Sequence, residues 1–158
     1  MTHKKIICLV FAIVVILGLA FIVYNQTISK EYVPADDEIV LHINFNIQED
    51  VGLLVYDYRI GNHDYSGGIS NADGSLLKRD SNNIVMFSKE EFNDSTDGAK
   101  LWIQFRIITE YVTPNYENVY PDEITKYMDP LSWEIHFGES YSITITGDKT
   151  NGYQAVFH

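Results

Sequence analysis

Cysteine is almost missing from this chain. The single Cys8 lies in the first ten residues, so no disulfide can form within the remainder. That excludes a disulfide-stapled miniprotein, a cysteine-ligated zinc site and a cysteine nucleophile in any folded part. Proline is sparse at four residues, and no proline-rich or other low-complexity tract occurs. Positive charge is scarce as well, with 11 Lys and Arg against 22 Asp and Glu in 158 residues. The imbalance is steeper beyond residue 30, where 8 cations meet all 22 acids, a formal charge of −14. Such a surface repels phosphate backbones and anionic headgroups, which excludes nucleic acid as a partner and argues against basic-patch membrane binding.

The familiar catalytic signatures are absent too. The chain contains no G-x-S-x-G elbow, no G-x-x-x-x-G-K loop and no G-x-G-x-x-G. No cofactor is expected. The histidines His42, His63, His136 and His158 show no H-x-x-x-H or H-E-x-x-H spacing, and His42 and His136 occupy polar strand positions where a solvated imidazole is expected. Asn71-Ala72-Asp73-Gly74-Ser75 resembles the middle of an EF-hand loop, which would make Asn71, Asp73 and Asp80 ligand positions. The first ligand position would then be Ile69, which cannot ligate. The segment is therefore expected to be a polar turn, and those three residues are weak metal candidates at most.

What is present begins with one long apolar run. Ile6–Tyr24 is 19 residues without charge or proline. As a helix it spans about 28 Å, close to the hydrocarbon core of a bilayer. Lys4 and Lys5 precede it, so the N-terminus is expected in the cytoplasm and the rest outside, with Tyr24 at the interface. Gly18-Leu19-Ala20 offers a cleavage motif, and cutting after Ala20 would secrete the protein. Cys8 stands at the wrong end of the run for a lipoprotein, and the Gly and Glu that frame a type IV pilin stem are missing. The layout is similar to that of many small bacterial envelope proteins. Residues 1–5 are read as a cytoplasmic tip, 6–24 as the anchor, 25–37 as a polar tether broken by Pro34, and 38–158 as an extracytoplasmic domain.

In that domain the hydrophobic period is two. Glu38–Asn46, Lys100–Val112, Trp133–Phe137 and Ser140–Thr146 alternate apolar and polar residues, the pattern of half-buried strands. Leu53–Ile60 and Asn83–Ser88 are apolar on both parities and suit central strands. Tyr153–Phe157 closes a hairpin with Ser140–Thr146, and Tyr65–Ser70 and Ser75–Arg79 give weaker strand signals. Gly61-Asn62, Gly67-Gly68, Asp73-Gly74 and Asn151-Gly152 supply turns. Short helices are expected at Lys89–Phe92 and Pro121–Met128. The fold class is all-β, an antiparallel sandwich of immunoglobulin-like type, with a jelly roll or open barrel as alternatives.

Two groups could carry binding. The connection Thr113–Pro130 brings Tyr116, Tyr120 and Tyr127, whose flat faces and hydroxyls suit sugars or protein partners. Alternatively the tyrosines cap the core rim. Trp102, Gln104 and Arg106 share the polar side of a long strand; exposed, they form a planar donor patch, and covered, Trp102 is core. Arg59 and Arg106 are expected in structural ion pairs. The functional expectation is an envelope module that binds a protein partner or a carbohydrate. A passive assembly role is the first alternative. A carboxylate hydrolase is the second, and it requires a concave site with one desolvated acid.

Overall fold

Alternation of side chains along a strand puts one row inward and the next outward, and here the inward rows meet. The computed structural model describes residues 32–91, 98–112 and 120–158; the expected anchor at 6–24 lies outside them. Among the described residues no helix is long and apolar enough to cross a membrane. In the unit Pro34–His158 the described residues form nine strands: β1 (Glu38–Ile47), β2 (Leu53–Ile60), β3 (His63–Ile69), β4 (Asn82–Ser88), β5 (Gly98–Ile108), β6 (Thr125–Tyr127), β7 (Leu131–His136), β8 (Ser140–Asp148) and β9 (Gly152–Phe157).

They form two sheets. The first has the order β4-β1-β8-β9; the second has β3-β2-β5-β6, with β7 beside β6 along the same edge of β5. Ile39, Leu41, Ile43 and Phe45 of β1 and Ile143 and Ile145 of β8 meet Leu54 and Tyr58 of β2 and Leu101, Ile103, Phe105 and Ile107 of β5 in one core. The fold is therefore all-β, two sheets around a shared apolar layer. All pairings are antiparallel except β1 with β8, which run parallel from Val40↔Ser140 to Ile47↔Gly147. A parallel pair needs a long crossover, and the whole second sheet lies between these strands in sequence.

Several expectations change. Asn83–Ser88 is an edge strand rather than a central one, and its Ile84 and Met86 are 47% and 52% exposed. Ser75–Arg79 forms only the isolated bridge Val51↔Leu77, because Asp50 accepts from the Arg79 N–H and the Lys78 ammonium and bends the chain away. Pro121–Met128 is a single 3-10 turn, Asp122–Ile124, followed by β6. There Thr125 pairs with Ile108 while its hydroxyl donates to the Pro121 carbonyl, so sheet pairing ends the helix. Lys89–Glu91 is likewise one 3-10 turn. Gly67-Gly68 is not a turn; it sits within β3, opposite Tyr56 and Val55. A Cβ on Gly67 would strike the Tyr56 ring, so glycine is what lets that ring cross the strand.

Candidate functional site

The outward row of β5 carries Lys100, Trp102, Gln104 and Arg106. Registry places Arg59 and Ser132 on either side of Trp102, Asp57 beside Gln104, and Val55 and Tyr127 beside Arg106. Among the described residues no second sheet covers this face. At one end it is closed by Val112, Tyr120 and Ile124, which pack on Leu53, Val55 and Ile108. Among the described residues three hollows line up along β2.

The first hollow, about 480 Å³, is lined by Arg59, Lys100, Trp102 and Ser132. The second, about 410 Å³, lies on the other side of Trp102, between Asp57, Asp64 and Ser66. The third, about 230 Å³, runs from Ser66 over Gly67 and Gly68 to Tyr120. Trp102 lines the first two and Ser66 the last two, so the hollows adjoin in a row, a segmented trough along the face. Arg59 and Val55 are four residues apart on β2, so the trough is at least about 13 Å long. An aromatic ring stands toward each end, and serine, aspartate and glycine lie between.

Charge in the trough is held in place. The Arg59 Nε donates to Asp64 at 2.6 Å, and its guanidinium lies 5.8 Å over the Trp102 ring. Arg106 reaches Asp57 at 3.6 Å and the Tyr127 hydroxyl at 3.4 Å, and lies over the Tyr127 ring. The Arg106 Nε is buried without a hydrogen-bond partner. Both arginines thus sit in ion pairs on the sheet. Asp57 and Asp64 keep 39% and 70% of their side chains exposed, so neither is the desolvated acid that carboxylate hydrolysis requires.

The remaining candidates separate. Gln104 spends its amide on the Met128 carbonyl at 3.0 Å, Ser132 donates its hydroxyl to the Leu101 carbonyl, and Arg106 is committed as described, so donor capacity toward the hollows centres on Trp102, Arg59 and Ser66 instead, with Ser132 left as an acceptor. Tyr120 lines the third hollow, and Tyr127, 58% exposed, stacks on Arg106. Tyr116 lies outside the described residues. Asn71 donates to Ser75 and to the Leu76 carbonyl, and Asp73 accepts from the Ser75 N–H and hydroxyl, which holds its carboxyl below the usual range. Their polar atoms close a turn. Asp80 is exposed, and no group of three metal-ligating residues occurs among the described residues. His136 is exposed as expected, but the His42 Nε2 is buried without a partner. Ser66 and Gly68 escaped sequence reasoning, because glycines between apolar runs signal a turn, and only the β2–β3 registry sets these two on the outward row beside Asp57 and Val55.

No family model and no curated protein matches this chain. Among solved structures it is similar to listeriolysin O (6% identity, TM-score 0.39, covering 77% of this chain and 22% of that one). It is also similar to wild type pneumolysin (9%, 0.39, 77% and 23%) and to the human-specific toxin intermedilysin (10%, 0.39, 77% and 23%). This chain therefore spans less than a quarter of each. A likeness of that size carries neither a family nor an activity.

Proposed function

We propose that this chain is a membrane-anchored binding module of the cell envelope, held by residues 6–24 with its domain outside the cytoplasm, and that it binds a protein or carbohydrate through the outer face of the second sheet. The observation that supports this reading is the row of adjoining hollows around Trp102. A sheet with no task beyond packing has no need of a half-buried tryptophan between two open hollows. We read the architecture as an immunoglobulin-like sandwich, since the chain passes between the sheets at β1–β2, β3–β4, β4–β5 and β7–β8, as Greek-key sandwiches do.

The test uses full-length protein in intact cells. A photo-crosslinking residue at Ser66, in the trough, is expected to form an adduct that Trp102→Ala removes. The same residue at Gln154, on the outer face of the first sheet, is expected to form none. Equal adducts at both positions, unaffected by Trp102→Ala, would overturn the site. For topology, a cysteine replacing Ser142 should react with an impermeant thiol reagent, and one replacing Thr2 should not; the reverse pattern would place the domain inside.

A further inference from the structure

Resting on that reading of the trough, we infer that its ligand is a linear, uncharged oligosaccharide, with sugar rings seated in successive hollows. Four features of the face point to this class. Three hollows adjoin in a row, with Trp102 shared between two and Ser66 between the next two, so the face suits an extended chain rather than a compact head. Its floor at Gly68, beside Val55 on the outward row, has no side chain, which lets a flat ring approach the backbone. Trp102 and Tyr120 supply apolar ring faces, while Asp57, Ser66, Ser132 and Arg59 supply the mixed acceptors and donors that hydroxyls require.

The charges of the face balance. Arg59 and Lys100 stand against Asp57 and Asp64, with Arg59 paired to Asp64 and Asp57 to Arg106, so no excess of one sign is left to hold a uronic-acid chain. A protein ligand fits less well. Protein interfaces are centred on apolar anchors; of the exposed apolar strand residues, Ile84, Met86 and Val156 lie on the other sheet, and Tyr127, exposed on this one, has its ring under Arg106.

The experiment titrates purified full-length protein in detergent with cellotetraose, chitotetraose and tetragalacturonate. It is read by calorimetry and by Trp102 fluorescence in a Trp133→Phe background. Either neutral tetramer is expected to bind, and tetragalacturonate is not. Trp102→Ala is expected to weaken binding about tenfold or more. Ser66→Ile, on an exposed edge-strand position that favours β-branched residues, should block the junction of two hollows while the melting temperature stays within a few degrees. Binding that ignores both substitutions, or that prefers tetragalacturonate, overturns the inference. If no sugar binds but the Ser66 crosslink captures a polypeptide in a Trp102-dependent way, the carbohydrate assignment falls and the binding face stands. If neither occurs, both fall together.

Discussion

The outer faces of the two sheets are built from the same repeat and have opposite characters. On the first sheet the outward rows of β1, β4, β8 and β9 read Val40, His42, Asn44, Asn46; Asn82, Ile84, Met86; Ser140, Ser142, Thr144, Thr146; and Gln154, Val156. None is Asp, Glu, Lys or Arg, and charges appear only at the rim, at Glu38 and Asp148. On the second sheet the outward rows include Arg59, Asp57, Asp64, Lys100, Arg106 and Glu134 around Trp102. Three hollows open there. The ladders differ only in the parallel β1–β8 pair, which does not open hollows, so the difference lies in the side chains. Thr, Asn and His rows pave the first face, while Gly68 and Ser66 across β2 from Trp102 leave the second one furrowed. A β face becomes a site where large and small residues abut, which requires particular registry and not merely polarity.

The largest expected effect is one that would level both faces. Phe105 is fully buried between the sheets, on the strand that also presents Trp102 and Arg106 outward. Phe105→Ala should cost about 3–5 kcal/mol in chemical unfolding, since the cavity adds to the lost burial. A loss below about 1 kcal/mol would mean that the two sheets do not share this core.

A smaller effect, on the first sheet, depends on pH. The β8–β9 hairpin of the first sheet is closed by Asp148, whose carboxylate accepts from the Asn151 amide and from the Asn151 and Thr150 N–H groups. Those bonds, the Asn151 side chain foremost, hold its carboxyl below the ordinary value near 3.8. A lowered folded pKa contributes stability that is present above the unfolded value and is lost as pH falls through the folded one. Asp148→Asn should therefore lower the melting temperature at neutral pH, and the gap from wild type should narrow below about pH 4. A gap of constant width in Asp148→Asn would show that the carboxylate does not act through these bonds.

How much was legible in the sequence follows from what periodicity can carry. The alternation in Glu38–Asn46 and Lys100–Val112 identified β1 and β5 and the inward rows Ile39–Phe45 and Leu101–Ile107, because a period of two is a local property. The position of Asn83–Ser88 was not legible. Apolar residues on both parities look the same whether a strand is central or at an edge with Ile84 and Met86 in water. Pro121-Asp122-Glu123 carries every signal of a helix start, and the chain still turns into β6, because a free strand edge on β5 competes for Thr125. Trp102 was visible as a candidate, but its hollows were not, since they arise from residues 59, 66 and 132, brought beside it by three different strands.

The smallest effect tests the plain face. Ile84 and Val85 are neighbours on β4 with opposite directions: Ile84 is half-exposed on the outer face, and Val85 is 6% exposed in the core. Ile84→Thr should change unfolding free energy by no more than about 0.5 kcal/mol, because little apolar area returns to water. Val85→Thr puts an unpaired hydroxyl into the core and should cost about 1–3 kcal/mol. An uncharged, apolar edge strand is also a template for intermolecular pairing. Ile84→Thr with Met86→Thr should therefore raise the concentration at which the detergent-solubilised protein self-associates, read by light scattering, while leaving sugar binding at the other face unaltered. If Ile84→Thr instead costs as much as Val85→Thr, the outer face of the first sheet is a packed surface, and the contrast between the two faces is lost.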